Sequence, residues 1–366
     1  MARIASVVFA IAVLVFAGRT AGATGPDGVL AEVDRVVEAE RTAQHIPGVS
    51  VAVCRHGKIV KAAGYGMANL ELEVKANAES IYETGSVGKQ FTAMAVMMMV
   101  EEGKLGLDDK IGKYIPQSPE AWKDVTVRRL LTHTSGIPDY GAQVDTKEKA
   151  SIDFRRDYTE DDLVKAFITM PMDFAPGEKW KYSNTGYVLL GVILRRVTGE
   201  FYGDFLQQRI FKPLGMKATR IISEEDIVAH RSAGYRLVNG ELKNQEWVAP
   251  MLNTTADGSL YTNVLDLAKW DAALDRREFL KPASYAAMWS AVKLNDGTSQ
   301  PYGFGWRIQN ENGRHMVMHD GEWQGFTMSI ARNLDTGLTV IVMTNLDGKN
   351  SKPAKIAEAV AKVYEK

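Results

Sequence analysis

Cysteine is almost absent from this chain of 366 residues, which contains only Cys54. A single thiol excludes an intrachain disulfide and a cysteine-based zinc cluster. The six histidines include no His-Glu-x-x-His pattern. His315 and His319 fall on a segment that reads as a strand, where residues at this spacing lie roughly 13 Å apart. That separation does not suit a shared metal ion, so we expect neither a metal site nor a cofactor.

An excess of charge of one sign is also missing. The chain has 44 Lys and Arg residues against 45 Asp and Glu residues, which gives a formal net charge of -1. Without a basic excess or a basic run, we expect no binding to nucleic acid. The hydrophobic fraction of 45% and the charged fraction of 24% are typical of a globular protein.

A long hydrophobic run is missing everywhere except at the N-terminus. There Arg3 precedes the apolar run Ile4–Ala17, which at about 14 residues is shorter than the roughly 20 that span a bilayer. The small residues that end at Ala23 are typical of a cleavage site. Residues 1–23 are therefore predicted to be a signal peptide cleaved before Thr24, with a periplasmic or secreted product and no stable membrane insertion after cleavage. An uncleaved anchor is the alternative.

The pattern of helices and strands predicts an α+β fold. A helix and strands open the chain, helices fill the middle, and strands and a helix close it. Terminal strands that flank a helical insertion most simply share one antiparallel sheet with helices on its faces. We expect an α+β lobe from residues 24–120 and 255–366, and a mostly α-helical second lobe from residues 121–254. Strands are predicted at Val49–Cys54, Lys58–Ala63, Phe304–Gln309, His315–Met318, Phe326–Arg332 and Leu338–Thr344. Helices are predicted at Gly28–Ala43, Ser86–Val100, Val125–His133, Asp161–Ile168, Thr185–Val197, Leu265–Leu274, Pro282–Val292 and Lys352–Tyr364.

The first candidate for chemistry is the sequence Ser86-Val-Gly-Lys89. Residues three apart at the start of a helix lie on one face, and the positive end of the helix dipole favours a developing alkoxide. The helix that follows has no polar face, which indicates a buried environment for Lys89. Desolvation favours a neutral amine, which can accept the serine proton. The alternative is that Ser86 only caps the helix and Lys89 lies at the surface.

Two further motifs carry polar groups that suit such a site. Tyr182-Ser-Asn184 lies in a loop that enters a helix, where a phenol can relay a proton and an amide can hold a carbonyl group. His319-Asp-Gly321 follows a predicted strand that ends at Met318, and Gly321 would permit a close backbone approach. An edge strand there could offer one N–H group to an oxyanion hole together with the N–H of Ser86. Taken singly, each of these two motifs is better explained by structure, the first by packing and a helix cap and the second by a hydrogen-bonded turn.

In this order the three motifs resemble those of the serine β-lactamase and penicillin-binding protein superfamily. The second motif, Tyr-x-Asn, is similar to that of the class C β-lactamase-like branch. The resemblance extends over roughly residues 28–365 and implies the β-lactamase/transpeptidase fold. Other segments that carry it are Leu130-Leu-Thr-His-Thr-Ser-Gly-Ile137, Phe174-Ala-Pro-Gly177, Tyr187–Gly191, Pro213-Leu-Gly-Met216, Gly258-Ser-Leu-Tyr-Thr262 and Asp266-Leu-Ala-Lys-Trp270.

The resemblance also implies roles for single residues. Ser86 would form an acyl-enzyme, and Lys89 and Tyr182 would share the base role. The N–H groups of Ser86 and Glu322 would form the oxyanion hole. Asn184 would orient the acyl group, and His319 would polarise Tyr182 or contact the substrate. His133 is expected to hold a loop, while Tyr140 and Trp323 either line the pocket or pack in the core.

The third motif departs from Lys-Thr-Gly, which β-lactamases and many transpeptidases have at this place. A His-x-Gly motif is similar to that of esterases and D-amino-acid peptidases of the same fold. His319 would supply only a partial, pH-dependent cation for a substrate carboxylate. We therefore expect a serine hydrolase that acts on an ester or amide of a small molecule or short peptide. The alternatives are a β-lactamase or D-Ala-D-Ala carboxypeptidase and, in a different class, a non-catalytic binder of cell-wall peptide or penicillin. The sequence does not specify the oligomeric state.

Overall fold

The computed structural model describes residues 25–141, 152–311 and 313–365. The predicted signal peptide, residues 1–23, lies outside this part of the chain. None of the helices in the described part is long and apolar enough to cross a membrane.

The described residues form nine α-helices, and their bounds are close to those that the sequence pattern predicts. The helices are α1 Pro26–Ala43, α2 Lys89–Glu101, α3 Val127–Leu131, α4 Glu160–Phe167, α5 Asn184–Thr198, α6 Tyr202–Leu206, α7 Val264–Asp275, α8 Pro282–Met288 and α9 Pro353–Tyr364. A left-handed glycine, Gly199, ends α5. The short helix α6 has no counterpart in the sequence interpretation.

A seven-stranded antiparallel sheet joins the two ends of the chain. The strands of the described residues are β1 Gly48–Arg55, β2 Lys58–Asn69, β3 Val74–Lys75, β4 Tyr82–Glu83, β5 Arg220–Ile221, β6 Tyr235–Val238, β7 Glu241–Asn244, β8 Leu260–Thr262, β9 Val292–Lys293, β10 Ser299–Gln300, β11 Arg307–Glu311, β12 Arg314–Trp323, β13 Phe326–Asn333 and β14 Leu338–Thr344. The order in the large sheet is β11-β12-β13-β14-β1-β2-β3, and β1 pairs with β14 in a register that places Val49 opposite Thr344. The α+β fold class is therefore confirmed.

Helices cover both faces of the large sheet. On one face α1 and α9 pack together over the sheet, through buried residues such as Val37 and Val360. On the other face α7 contacts β1 and β14, and a larger core continues from there into the helices of the middle segment. The helix α2 runs through this larger core, and its residues from Lys89 to Met99 are buried. This position explains why its sequence has no polar face.

Two local expectations are corrected. The sequence predicts a strand that ends at Met318 and a turn at His319, but β12 continues to Trp323. Its neighbour β11 pairs only as far as Met318, so the residues from His319 onward lie at an open edge. The sequence also places Ser86 at the start of a helix, but it lies on a 3-10 turn, Gly85–Gly88, that precedes α2. The open edge of β12 packs against this turn.

Candidate active site

Ser86 and Lys89 lie within hydrogen-bonding distance of each other. The 3-10 turn leaves Ser86 half-buried at a cleft, while Lys89, the first residue of α2, is fully buried. Lys89 Nζ is 3.0 Å from Ser86 Oγ. A buried lysine must find polar partners, since an isolated ammonium in an apolar interior is strongly disfavoured.

Lys89 Nζ has two further partners at fixed positions. It donates to Asn184 Oδ1 at 2.6 Å and to the backbone carbonyl of Asp257 at 2.6 Å. These two bonds use two N–H groups in either protonation state of the amine. The third position faces Ser86 Oγ, where an ammonium donates and a neutral amine accepts the serine proton. The arrangement can therefore activate the serine hydroxyl without moving Lys89.

Tyr182 lies beside Lys89, in the loop that leads into α5. Its ring centroid is 5.0 Å from Lys89 Nζ. Its hydroxyl group is buried and has no hydrogen-bond partner among the described residues. An unpartnered buried hydroxyl is costly, so its presence in the side chain that packs against Lys89 suits a group that takes part in the chemistry.

The ring of His133 packs against the ring of Tyr182. The two ring centroids are 4.2 Å apart with an interplanar angle of 35°. His133 Nδ1 accepts a hydrogen bond from the backbone N–H of Ser183 at 3.2 Å, and burial lowers the His133 pKa well below its ordinary value. His133 is therefore neutral and positions the Tyr182 loop, in line with the structural role expected from the sequence.

Asp139 fixes the orientation of Asn184. Its Oδ1 accepts from the Asn184 backbone N–H at 3.2 Å, and its Oδ2 accepts from Asn184 Nδ2 at 3.3 Å. Burial raises the pKa of Asp139, and the nearby Asp257 carboxylate raises it further. Because Nδ2 is held by Asp139, Asn184 turns its oxygen toward Lys89. Asn184 thus holds the lysine, rather than presenting a free amide to an acyl group as the sequence suggests.

Close backbone contacts bring the edge of β12 beside Ser86. Gly321 faces the 3-10 turn, and a Cβ there would clash with the carbonyl oxygen of Thr84 and lie 3.1 Å from Ser86 N. Gly85 has a φ of +48°, and a Cβ there would clash with Glu322 N. Both positions require glycine, for space at Gly321 and for space and conformation at Gly85. The backbone nitrogens of Ser86 and Glu322 consequently lie close to each other, and both residues line the same cleft.

His319 is buried and neutral, which corrects the expectation of a pH-dependent cation. Its Nδ1 lies 2.7 Å from the Asp320 carbonyl oxygen, which can only accept, so Nδ1 carries the proton. Its Nε2 then accepts from the Tyr302 hydroxyl at 2.8 Å. Burial, followed by the charge of Lys89, lowers the pKa of His319 to about 3. The ring lies 6.3 Å from that of Tyr182 and belongs to the wall behind it.

The cleft at Ser86 is small and acidic. It has a volume of about 50 Å³ and is lined by Asp257 and Glu322 but by no Lys, Arg or His in the described part of the chain. Tyr140 and Trp323 also line it, so both contribute to the pocket. Tyr140 donates from its hydroxyl to Asp257 Oδ2 at 2.8 Å.

The sequence analysis did not predict two residues of this site. Asp139 and Asp257 meet Asn184 and Lys89 only through tertiary contacts, and no local spacing signals either. Gly258, directly after Asp257, does fall in one of the segments that carry the family resemblance. That segment is the one signal that could have pointed to this part of the site.

His315 and His319 do not form a metal site. His315 is exposed and its Nδ1 lies 2.8 Å from Asp335 Oδ1, while His319 is buried in the wall behind Tyr182. The described residues contain no cluster of three or more His, Cys, Asp or Glu side chains that could hold a metal ion.

Comparison with known protein families shows which family the chain belongs to. The family model described as Beta-lactamase matches residues 33–365. The chain belongs to the β-lactamase family. The resemblance carried by its three motifs is thereby confirmed, and the chain is a serine hydrolase of the group that includes β-lactamases and penicillin-binding proteins.

Relatives of this β-lactamase family member support the same placement. Penicillin-binding protein 4* of Bacillus subtilis is 33% identical over 311 residues, which are 81% of this chain and 67% of that protein. Among solved structures, the octameric penicillin-binding protein homologue from Pyrococcus abyssi is 29% identical with a TM-score of 0.77, covering 92% of this chain and 78% of that one. A D-stereospecific amidohydrolase from Streptomyces sp. is 25% identical with a TM-score of 0.75, covering 90% and 97%.

Proposed function

We propose that this family member is an exported serine hydrolase that cleaves an ester or amide through an acyl-enzyme on Ser86. The observation that carries the proposal is the 3.0 Å contact between Ser86 Oγ and Lys89 Nζ. Lys89 donates one N–H group to Asn184 Oδ1 and one to the Asp257 carbonyl. A neutral amine has only these two N–H groups, so its lone pair is left to accept the serine proton. Export follows from the predicted signal peptide, and N-terminal sequencing of the mature protein tests cleavage before Thr24.

In the acylation step, Ser86 Oγ attacks the substrate carbonyl carbon while its proton passes to Lys89. The carbonyl oxygen takes up the negative charge and is stabilised by the N–H groups of Ser86 and Glu322. The bond to the leaving group then breaks. Tyr182 gives its hydroxyl proton to the leaving oxygen or nitrogen and recovers a proton from Lys89.

In the deacylation step, a water molecule replaces the leaving group. Its oxygen attacks the acyl carbon, and Tyr182 and Lys89 take up its proton. The bond between the acyl carbon and Ser86 Oγ breaks, and the serine recovers its proton as the acid product leaves. The buried, unpartnered hydroxyl of Tyr182 supports this role, because it has no hydrogen bond within the described part of the protein to give up.

The charge of the cleft favours neutral or cationic substrates over substrates with a carboxylate. Asp257 and Glu322 line the cleft, and His319 is neutral and held by Tyr302. A carboxylate placed there would meet like charges. The cation beside Ser86, Lys89, already bonds to Asn184 and to the Asp257 carbonyl. This argues against the alternatives of a β-lactamase and a D-Ala-D-Ala carboxypeptidase, whose substrates carry one. The name of the Streptomyces neighbour, a D-stereospecific amidohydrolase, supports an amide or short peptide as substrate.

A substrate panel with wild type and the Ser86→Ala variant tests the proposal. The panel consists of a short-chain p-nitrophenyl ester, D-amino acid p-nitroanilides with a free amino group, a D-Ala-D-Ala peptide and a chromogenic cephalosporin. We expect turnover of the ester or the anilides, weak or no turnover of the two carboxylate substrates, and a loss in kcat of about 10³-fold or more in the variant.

The outcomes separate the three hypotheses. Efficient cephalosporin or D-Ala-D-Ala cleavage that depends on Ser86 would favour the alternatives. Binding of these compounds without turnover or covalent adduct would indicate a non-catalytic binder. Full activity of the Ser86→Ala variant on every substrate would remove Ser86 from the mechanism. Ser118→Ala, in a turn away from the cleft, serves as the matched control.

A further inference from the structure

The strand β12 loses one of its two neighbours before it reaches the cleft. β11 pairs with β12 only as far as Arg307, which lies opposite Met318. Just before Arg307 the chain folds back on itself, and Tyr302 forms an isolated bridge with Arg307. The end of β12 is therefore paired only with β13 among the described strands. Side chains, rather than a strand, must hold its other edge.

This open edge carries a backbone group that the proposed reaction uses. Residues two apart in a strand direct their backbone groups to the same side, so the Asp320 carbonyl and the Glu322 N–H group share one side. A Cβ on Gly85 would lie 2.3 Å from Glu322 N, so this side faces the 3-10 turn that carries Ser86. Only two planar peptide groups, joined at Gly321, separate the carbonyl from the N–H group. Whatever holds the Asp320 carbonyl therefore also holds Glu322 N.

The side chain of His319 bonds to this carbonyl. His319 Nδ1 donates to the Asp320 carbonyl oxygen at 2.7 Å, in place of the N–H group that a neighbouring strand would supply. On the far side of the ring, Nε2 lies 2.8 Å from the Tyr302 hydroxyl group. Because Nδ1 carries the proton, Nε2 has a lone pair and Tyr302 is the donor. The rigid imidazole is thus fixed at both of its nitrogens.

Tyr302 is firmly placed and lies away from the substrate. It is 1% exposed, and its ring packs against His133 and Tyr182 with centroids 4.6 Å and 6.4 Å apart. Its hydroxyl also interacts with that of Tyr187, which donates to the Leu131 carbonyl at 2.8 Å. Tyr302 does not line the cleft. It can therefore affect the reaction only through its neighbours.

We propose that Tyr302 is a positioning residue for acyl transfer, which acts through His319 on the Asp320 carbonyl and so on the Glu322 N–H group. This inference rests on the proposed function, in which that N–H group stabilises the oxyanion. Without the Tyr302 hydroxyl, Nε2 of His319 would be a buried acceptor without a donor, a state that folded proteins avoid. The ring would turn or change its tautomer, and its bond to the carbonyl would weaken.

Kinetics of the Tyr302→Phe variant test this role, because the substitution removes the hydroxyl and keeps the packing of the ring. With a neutral ester we expect kcat to fall about tenfold and KM to change less than about twofold, since an oxyanion-hole donor acts in the transition state. In the His319→Leu background the same substitution should change kcat less than about twofold, because the link is already broken. Tyr285→Phe, which removes a buried hydroxyl that accepts from the Phe279 N–H at 3.3 Å, is the matched control and should keep the wild-type kcat.

NMR of the histidine ring nitrogens gives a readout that does not depend on turnover. In protein labelled isotopically at histidine, the His319 signals are those that the His319→Leu variant lacks. We expect the proton on Nδ1 in the wild type. In Tyr302→Phe the Nε2 signal should shift, because that nitrogen loses its donor. A wild-type ring that carries its proton on Nε2 would overturn the proposal, even if a variant does not fold.

The kinetic outcomes separate this inference from the proposed function. If the wild type cleaves the ester through Ser86 and Tyr302→Phe keeps its kcat, the positioning role is wrong and the hydrolase assignment stands. An equal fall in kcat in the wild-type and His319→Leu backgrounds would also contradict the role, since Tyr302 would then act by another route, such as its contact with Tyr187. A wild type that turns over no substrate would instead contradict the proposed function, and this inference with it.

Discussion

At the scale of single residues, the chemistry of the site depends on how a buried lysine is held. Lys89 meets three oxygen atoms, from Ser86, Asn184 and the Asp257 carbonyl, at distances of 2.6–3.0 Å. Two of these acceptors are fixed by the fold, and only the serine can change its protonation. Asp139 holds Asn184 by two hydrogen bonds and so determines where the first acceptor lies.

Replacement of Asp139 by Asn should weaken catalysis without removing the nucleophile. The amide retains one acceptor oxygen but turns a donor toward either the backbone N–H or Nδ2 of Asn184. The loss of a hydrogen bond to a charged group costs about 1.5–3 kcal/mol, which corresponds to a fall in kcat of about 10- to 100-fold. Steady-state kinetics with a neutral ester should show this fall in kcat with little change in KM.

Asp296→Asn, in an exposed turn, is the matched control for this variant and should be silent. A structural defect alone would lower the amount of active enzyme but would leave the kcat of each active molecule unchanged. Wild-type kcat in Asp139→Asn would show that Asn184 needs no such support.

The residues that sequence reasoning brings together are those with a local motif. Ser86 and Lys89 are three positions apart and precede an apolar helix. These two features were enough to predict that the side chains meet and that Lys89 is buried. Asp139 could not be found in this way, because its partner Asn184 lies 45 positions along the chain. The expectation that His319 is a partial cation was wrong. Its neutral state depends on burial and on the hydrogen bond from Tyr302, and the motif His319-Asp-Gly321 indicates neither.

At the scale of elements, the site forms where the open edge of β12 meets the 3-10 turn before α2. The turn carries the nucleophile, and the strand supplies the second backbone N–H group. The distance between the two elements is set by residues without side chains, Gly85 and Gly321.

Gly321→Ala should separate these two elements. Its methyl group would clash with the Thr84 carbonyl and push β12 away from the turn, so the two N–H groups would no longer point to one oxygen. We expect a fall in kcat of about 100-fold or more, as for loss of an oxyanion-hole donor, and a loss of about 1–3 kcal/mol in the free energy of unfolding.

Kinetics and urea unfolding of this variant provide the measurement. Gly112→Ala is the matched control, since nothing lies within 4 Å of a Cβ at that position. A Gly321→Ala variant that retains the wild-type kcat would contradict the proposed oxyanion hole.

Elements with a strong apolar period were predicted well, whereas some of the short ones were missed or misplaced. The spacing of apolar residues gave α1, α5 and α9 within a few residues of their bounds. The end of β12 was misplaced because His319-Asp-Gly321 has the composition of a turn, whereas packing against the 3-10 turn keeps this segment extended. The hairpin of β6 and β7 was missed because its strands are short and largely exposed, so they lack an apolar pattern.

At the scale of the whole molecule, the aromatic wall behind Tyr182 makes folding sensitive to acid. His133 and His319 are both fully buried there, and burial lowers the pKa of each. The unfolded chain binds a proton at each of these histidines below about pH 6.5, while the folded protein does not. Their neutral form therefore contributes stability that is fully present above pH 6.5 and is lost as the pH falls.

His319→Gln should remove one part of this pH dependence. With a folded pKa of about 3, His319 lowers the free energy of unfolding by about 1.4 kcal/mol for each pH unit below about 6.5. The difference in unfolding free energy between wild type and variant should shrink accordingly between pH 6.5 and 4.5. The contributions of His133 and of the other titrating groups are the same in both proteins and cancel in this difference.

Urea unfolding at half-unit steps of pH measures this difference. His315→Gln, which changes an exposed histidine on the same strand, is the control and should not reproduce the slope. A difference that stays constant across this pH range would mean that His319 is protonated in the folded protein.

Covalent labelling of the nucleophile tests the central claim most directly. A fluorophosphonate bonds to a serine activated by a neighbouring base and loses fluoride, which intact-mass spectrometry detects. We predict a single adduct on the wild-type protein, mapped to Ser86 by peptide digestion, and none on Ser86→Ala, with slower labelling of Lys89→Ala. An adduct on another residue, or equal labelling of Ser86→Ala, would contradict the assignment of Ser86 as the acylated serine.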